Sequence, residues 1–481
     1  MLCAKREILR KISDQYTEER EITMKLLLLK GYYGINVHGD SHGDLGCTVY
    51  DGNINPDIVF IMAATIAHNS KDIELEVIDA IAEELLADEM LEELNKREKE
   101  YDSIIIKACA STIKLDLELA QKLKEIFPKT HLSFSGHIAK LLKKWINFNA
   151  KYIDEIIDIP LDFYMYKMVN ETDEIDLSKF PCINYTLFPY EKYKDQGKLR
   201  LSIQTSRGCM MGCRYCPYNA FYNNKIYYYD IDKVIDNIKC IIKLNPEVIL
   251  FRDQYFTADK ERIRTLCKKI IQENIKFKWS CETRIELLDE SLIDLMVESG
   301  LFMICFGVES GDNKLLDKYN RNISNYQNIS TIVSYLRKKG VLTLGFYIIG
   351  FSEDTWESAE NTLKRAIEVN SDIAQFSPYE PCVLDANKEE CLTPDNFILF
   401  ENIMGKDINR NLCQEEVDYL VNAYSLIYNC IKGELKNNYI NEYAKKTEHI
   451  KEISYLQNIK TGLKGICSAV REKEWERKDA I

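Results

Sequence analysis

At 481 residues and 46% hydrophobic content the chain exceeds what one ordinary core organises, so two or three domains are expected. A formal charge of −13 argues against a general phosphate-binding surface, and no nucleic-acid partner is expected. The sixteen cysteines follow no secretory leader pattern and are expected to be reduced thiols in a cytoplasmic protein, while no apolar run reaches the ~18 residues of a transmembrane segment.

In chain order, residues 1–23 are densely charged and read as a helical extension. From residue 24 to about 165, short apolar runs (KLLLL, IELEVIDA, SIIIKACAS, HLSFSG, YIDEIIDI) alternate with helical stretches such as LDLELAQKLKEIF. Runs of that length separated by helices imply a parallel sheet covered on both faces, a doubly wound, Rossmann-like α/β domain. Residues 166–198 carry Pro181, Pro189 and several tyrosines without a clear period and read as a linker over the surface.

A second alternation fills residues 199–380, with LRLSIQT, EVILFRD, IKFKWSCE, FMICFGVE, VLTLGFYIIG and DIAQFS as strands. Six β/α units in a row predict a partial (β/α)6 TIM-like barrel with its functional loops at the carboxyl ends of the strands. Residues 381–481 turn polar and helical, a C-terminal helical region without a readable motif.

Immediately after the first strand of the second alternation, TSRGCMMGCRYCPY places Cys209, Cys213 and Cys216 at a three-then-two spacing. A loop at a strand end can wrap three thiolates around one side of an iron–sulfur cubane and leave the fourth iron open to a small molecule. Structural zinc is the competing reading, with Cys182 or Cys240 as the fourth ligand, since no histidine lies between His137 and His449.

This triad, with aromatic Tyr215 before its last cysteine, resembles the signature of the radical S-adenosylmethionine (SAM) superfamily. The resemblance implies a [4Fe-4S] cluster on the three cysteines, SAM chelated to the open iron, and Tyr215 near the adenine. It extends along the later strand ends: FRDQYFT at 251–257, CETR at 281–284, FGVESG at 306–311 and GFYIIGFSEDT at 345–355. It further implies that Arg284, Glu309 and Ser310 help hold SAM and that Gly350 allows close backbone approach, with Asp253 placed either in the site or as a helix cap. Plain structural roles compete: Arg284 could pair with Glu282 or Glu286, and Glu309 could cap the following turn.

The preceding α/β domain resembles the cobalamin-binding domain of one large subclass of this superfamily. That resemblance implicates Ser111, Thr112, Ser135 and Gly136 at the third and fourth strand ends. The paired glycines usual in the fourth loop are here Ser135 and Gly136, and DEIIDIPLDFY stands where a Gly-Glu-Gly-Glu-like stretch is usual. In HGDSHGDLG, Asp40 and His42 fit a cobalt-ligating Asp-x-His-x-x-Gly motif, but Leu45 takes the glycine position; the loop could equally be a turn, a metal-binding loop or an exposed tip.

The resemblance implies one-electron reduction by a donor such as flavodoxin or ferredoxin, cleavage of SAM to a 5′-deoxyadenosyl radical, and cobalamin-dependent methylation of an unactivated carbon. The substrate is open among peptides, lipids and small metabolites. A radical cyclisation or rearrangement without methyl transfer is the alternative within the fold, and a non-catalytic iron–sulfur or zinc regulatory protein the alternative outside it.

Overall fold

The computed structural model describes residues 23–34, 37–38, 47–48, 54–97, 99–195, 197–216, 218, 222, 224–321, 326–379 and 411–431. His42 with Asp40, the extension over residues 1–22 and most of the C-terminal region lie outside the described residues.

The first sheet contains β1 (Met24–Lys30), β2 (Ile73–Asp79), β3 (Ser103–Lys107), β4 (His131–Ser135) and β5 (Glu155–Ile157), all parallel, in the order β2-β1-β3-β4-β5. This is a doubly wound order in which the connection reverses direction between β1 and β3. Strand β1 shows why both faces must be covered: Leu26 and Leu28 enter one core while Leu27 and Leu29 enter the other, the two-residue alternation of a strand buried on both sides. Helices α2 (Ala87–Lys96) and α3 (Ile113–Ile126) cover the second face. The first face receives α1 (Ile58–His68) and α4 (Leu161–Asn170). Helix α1 is apolar on every side and buried from Ile58 to Ala67, so it is an internal element; no helix among the described residues is long and apolar enough to cross a membrane.

The second sheet runs β11-β10-β9-β8-β7-β6, six parallel strands in chain order: β6 (Lys198–Ile203), β7 (Val248–Phe251), β8 (Trp279–Thr283), β9 (Leu301–Glu309), β10 (Leu342–Ile349) and β11 (Ile373–Pro378). A two-residue strand, Lys194–Asp195, pairs antiparallel with the outer edge of β6. The intervening helices are α5 (Ile231–Ile242), α6 (Lys260–Gln272), α7 (Glu290–Glu298), α8 (Asn313–Lys318), α9 (Tyr326–Lys338) and α10 (Trp356–Val369). Polar residues in the loops after the strands start several of them: Asp259, Asp289, Asp312 and Thr355 each accept a first-turn amide of the next helix. This is the partial barrel expected from the sequence.

The far edge, β11, is covered by α11 (Gln414–Ile431). Asn429 donates to Ala374 O and accepts from Ala374 N, at 3.0 and 3.2 Å, so one side-chain amide satisfies the edge strand as a neighbouring strand would.

The stretch expected to lie over the surface is instead part of the core. Phe180, Ile183, Tyr185, Phe188 and Tyr193 are buried between the two sheets. Burial of the tyrosines is possible because their hydroxyls are satisfied: Tyr185 donates to Ser202 O at 2.7 Å and Tyr193 to Asp79 at 2.8 Å. One continuous apolar core therefore runs from the first face of the N-terminal sheet into the barrel.

Candidate active site

The cysteine loop leaves β6 through four successive anchors. Thr205 and Ser206 donate to the buried Asp253, two residues beyond β7, with Oγ contacts of 2.7 and 2.6 Å. Burial pushes the Asp253 carboxyl up and these donors hold it back. Asp253 therefore buckles two strand ends together and is not a helix cap, a place Asp259 takes for α6. Arg207 pairs with Asp162 of α4. Gly208, at φ +94°, donates its N–H to Gln254 at 2.8 Å; a Cβ there would lie 2.1 Å from Lys225 O, so the turn requires glycine.

Beyond Gly208 the loop is braced from α8. Asn320 donates to Gly212 O at 2.9 Å and Arg214 N to Tyr319 O at 2.9 Å. Cys209 and Cys213 are buried and Cys216 is partly buried. Burial raises all three thiols, and the cysteines raise one another: Cys213 acts on Cys209, and both act on Cys216. Arg284 and Arg321 pull Cys209 and Cys213 back down. Among the described residues no group of three or more His, Cys, Asp or Glu side chains is close enough to hold a single metal ion. The three thiols lie close enough to influence one another. The two cysteines considered as a fourth zinc ligand contact each other: Ile183 N donates to Asn237 of α5 at 2.8 Å, which seats Cys182 beside Cys240.

Facing the triad is a buried quartet of charges. Arg284 Nε donates to Glu286 Oε1 at 2.7 Å, Arg321 Nη1 lies 3.6 Å from the same oxygen, and Arg321 Nε lies 3.7 Å from Glu309 Oε1. Tyr215 OH donates to Glu309 Oε1 at 3.0 Å. Glu309 ends β9 at φ +70°, beyond a register shift in the β9–β10 ladder that turns the carboxylate toward Tyr215. Burial raises its pKa, and the Arg321 guanidinium and the Tyr215 phenol oppose the rise. Glu286 Oε2 is buried without a hydrogen-bond partner. Two guanidinium groups with a vacant carboxylate oxygen suit a zwitterion: the carboxylate of an amino acid beside the arginines and its ammonium beside Glu286. Tyr215 packs edge-on against Phe351 at 5.9 Å, within an aromatic group that includes Tyr319 and Tyr379.

Ser310 and Gly350 adjoin this cluster in sequence, next to Glu309 and Phe351. Ser310 Oγ accepts from Asp312 N at 3.1 Å and lies 3.3 Å from Thr362 of α10. Gly350, at φ +91°, donates to Asp354 at 2.8 Å, and a Cβ there would lie 2.9 Å from Val417 of α11. Its close approach is to a helix.

A second constellation occupies the carboxyl ends of β1 and β3, where the N-terminal sheet reverses direction. Lys30 and Lys107 flank Asp57, at 3.6 and 3.9 Å, all three buried. Burial pushes Asp57 up, but the two lysines override it and hold the carboxyl low. Asp116 of α3 ties the loops after β1 and β3, accepting from Tyr33 OH at 2.7 Å, Thr112 Oγ1 at 2.8 Å and Cys109 N at 3.0 Å. Gly136 sits at φ +126°, where a Cβ would lie 2.4 Å from Ala108 O. The hydroxyls of Ser111 and Ser135 are buried without partners. Thr112 is thus committed to Asp116, while Ser111 and Ser135 retain bonding capacity at a crevice of the kind that binds ligands in open α/β sheets.

Residues 203–366, which hold the triad and the charge quartet, match the radical SAM superfamily model. Over this stretch the chain is similar to the radical SAM superfamily. An uncharacterized methyltransferase from Pyrococcus horikoshii is 29% identical over 44% of this chain, and the chain covers 46% of that relative, less than half its length. Among solved structures, the radical SAM methyltransferase TsrM of Kitasatospora setae, determined with cobalamin and a [4Fe-4S] cluster, aligns with a TM-score of 0.60 at 13% identity, covering 78% of this chain and 84% of that one. The cobalamin-dependent radical SAM enzyme OxsB aligns at 0.58 and 12% identity over 86% of this chain and 62% of its own. These two likenesses establish a shared fold, N-terminal sheet included.

Of the residues singled out from sequence, the partial barrel brings Cys209, Cys213, Cys216, Tyr215, Arg284 and Glu309 together. Asp253 supports them from the base of the loop. Arg321 was missed, because its partners Glu309 and Glu286 lie 12 and 35 residues away, and Glu286 entered only as a possible pair for Arg284, a pairing the structure contains.

Proposed function

We propose that this chain is a cobalamin-dependent radical SAM C-methyltransferase, with residues 24–165 as the cobalamin-binding unit and residues 199–380 as the catalytic barrel. The observation that carries the reading is the charge quartet beside the cysteine loop, with the unpartnered Glu286 Oε2 among two arginines. The likeness to TsrM and OxsB, over 78% and 86% of this chain, supports the placement of a cobalamin domain before the barrel.

When bound, the cluster and SAM supply a 5′-deoxyadenosyl radical, and cobalamin supplies a carrier for a methyl group. The protein contributes position and exclusion of water. Cys209, Cys213 and Cys216 would hold three irons. Arg284 and Arg321 would orient the methionine carboxylate, Glu286 and Glu309 its ammonium, and Tyr215 and Phe351 would wall the adenine. Ser111, Ser135 and Gly136 would meet the corrin or its nucleotide tail. The electron would come from a flavodoxin- or ferredoxin-class donor in a reducing cytoplasm, and the substrate is an organic molecule with an unactivated C–H bond.

The test is an anaerobic reaction with SAM carrying a trideuterated methyl group and a cell extract of small metabolites and peptides. Methyl transfer puts the label in a product; an unlabelled, cyclised or rearranged product in the presence of 5′-deoxyadenosine would replace methylation with the alternative radical outcome.

A further inference from the structure

The cysteine loop is fastened to the N-terminal half of the chain through a buried ion pair. Asp162 lies in the first turn of α4, the helix that follows the last strand of the N-terminal sheet, and Arg207 lies two residues before Cys209; both are essentially inaccessible to solvent. Arg207 Nη1 meets Asp162 Oδ2 at 2.5 Å and Nη2 lies 3.4 Å from Oδ1, a two-point contact that fixes the plane of the guanidinium. Nε and Nη2 also donate to Tyr222 OH, at 3.1 and 2.7 Å. Phe163 and Tyr222 pack against the guanidinium at 5.3 and 5.7 Å.

The backbone on either side has little freedom. Ser206 is held by Asp253 and Gly208 by Gln254, so a displacement of the Arg207 side chain is transmitted to the Cys209 backbone instead of being absorbed. Helix α4 packs on α1, whose N-cap Asp57 is the carboxylate between Lys30 and Lys107 at the switch point of the N-terminal sheet. A short rigid path thus joins that crevice to the first cysteine of the loop.

We propose that Asp162 and Arg207 are positioning residues that set the register of the cysteine loop against the N-terminal domain, so that the geometry of the cluster site depends on α4. The inference rests on the radical SAM reading of the loop. A buried pair retained only for stability would alter melting and nothing else; a positioning pair must also alter the electronic environment of the cluster that remains.

The experiment compares full-length wild type with D162N, R207K and Y222F after anaerobic reconstitution. Electron paramagnetic resonance of the dithionite-reduced protein is recorded with and without SAM, together with iron content, thermal midpoint and 5′-deoxyadenosine formation. At wild-type iron content, D162N is expected to show a shifted or broadened reduced-cluster signal with a diminished response to SAM, and 5′-deoxyadenosine formation lowered roughly 10- to 100-fold, the scale of loss from small misplacements of reacting groups. R207K, which keeps the charge but not the two-point contact, and Y222F, which removes one oxygen, are expected to lie between, and they decide the matter if D162N does not fold. Wild-type signals and rates in all folded variants, with only the melting midpoint lowered, would overturn the proposal. A wild-type protein that itself shows no SAM-dependent signal would instead overturn the radical SAM reading.

Discussion

The phenol of Tyr215 and the carboxylate of Glu309 meet at 3.0 Å although 94 residues separate them, which joins the cysteine loop to the end of β9 through a single hydrogen bond. Glu309 is buried, so the bond's removal leaves a charged acceptor with less compensation. Y215F is expected to cost about 1–2 kcal/mol of stability and to raise the apparent Kd for SAM several-fold, read by chemical denaturation and by spectral titration of the reduced cluster. An unchanged Kd would place the adenine away from Tyr215.

Arg321 is the residue whose loss should matter most outside the triad. It approaches Glu286 and Glu309 together, and its removal leaves both carboxylates with Arg284 as the remaining guanidinium of the quartet. R321A is expected to lose about 3–5 kcal/mol, the cost of breaking a buried charge pair from one side. SAM binding should weaken at least about tenfold if a charge-assisted contact to its carboxylate is lost. R321K should recover part of the stability but not the binding, because a point charge cannot serve two partners in one plane. Equal SAM affinity in wild type and R321K would remove Arg321 from the binding role.

Ser135 supplies a test of the N-terminal crevice. Its hydroxyl is buried without a partner, a cost to the cofactor-free protein that S135A removes. The variant is expected to be as stable as wild type or more stable by about 1 kcal/mol before cofactor addition, and to bind hydroxocobalamin more weakly in an absorbance titration. Undiminished cobalamin binding would place the ligand elsewhere on the sheet.

Asp116 predicts a pH signature. Burial pushes its carboxyl up to about 6, with donors from Tyr33, Cys109 and Thr112 opposing the rise. Between about pH 4 and 6 the folded state therefore holds a proton that the unfolded chain has released, so this group's stabilisation is present at acid pH and declines as pH rises through that window. In D116N the decline is absent. The stability difference should move in favour of D116N by on the order of 2 kcal/mol between pH 4 and pH 7, read as urea midpoints across pH. Parallel pH profiles would show that Asp116 titrates normally.

The parts of this molecule that were legible in the sequence are those whose cause is local. The alternation Leu26 to Leu29 marks a strand buried on both faces, and the 209–213–216 spacing marks a loop that gathers three thiols. What escaped is set by tertiary partners. Arg207 reads as an ordinary basic residue until Asp162 appears 45 positions earlier in sequence and beside it in space. The tyrosines of residues 180–193 read as a surface linker because the carbonyl and carboxylate that satisfy Tyr185 and Tyr193 belong to other elements. Ser310 and Gly350 have tertiary neighbours that the sequence does not announce, Thr362 and Val417.

The central claim is that Cys209, Cys213 and Cys216 hold a cluster that cleaves SAM. The most direct measurement is 5′-deoxyadenosine formed by anaerobically reconstituted protein with SAM and dithionite, run beside C209A, C213A and C216A. The account predicts about four irons per chain and continuing 5′-deoxyadenosine formation in wild type, with formation abolished in each variant. Four irons bound without any 5′-deoxyadenosine, or undiminished formation in a cysteine variant, would contradict it.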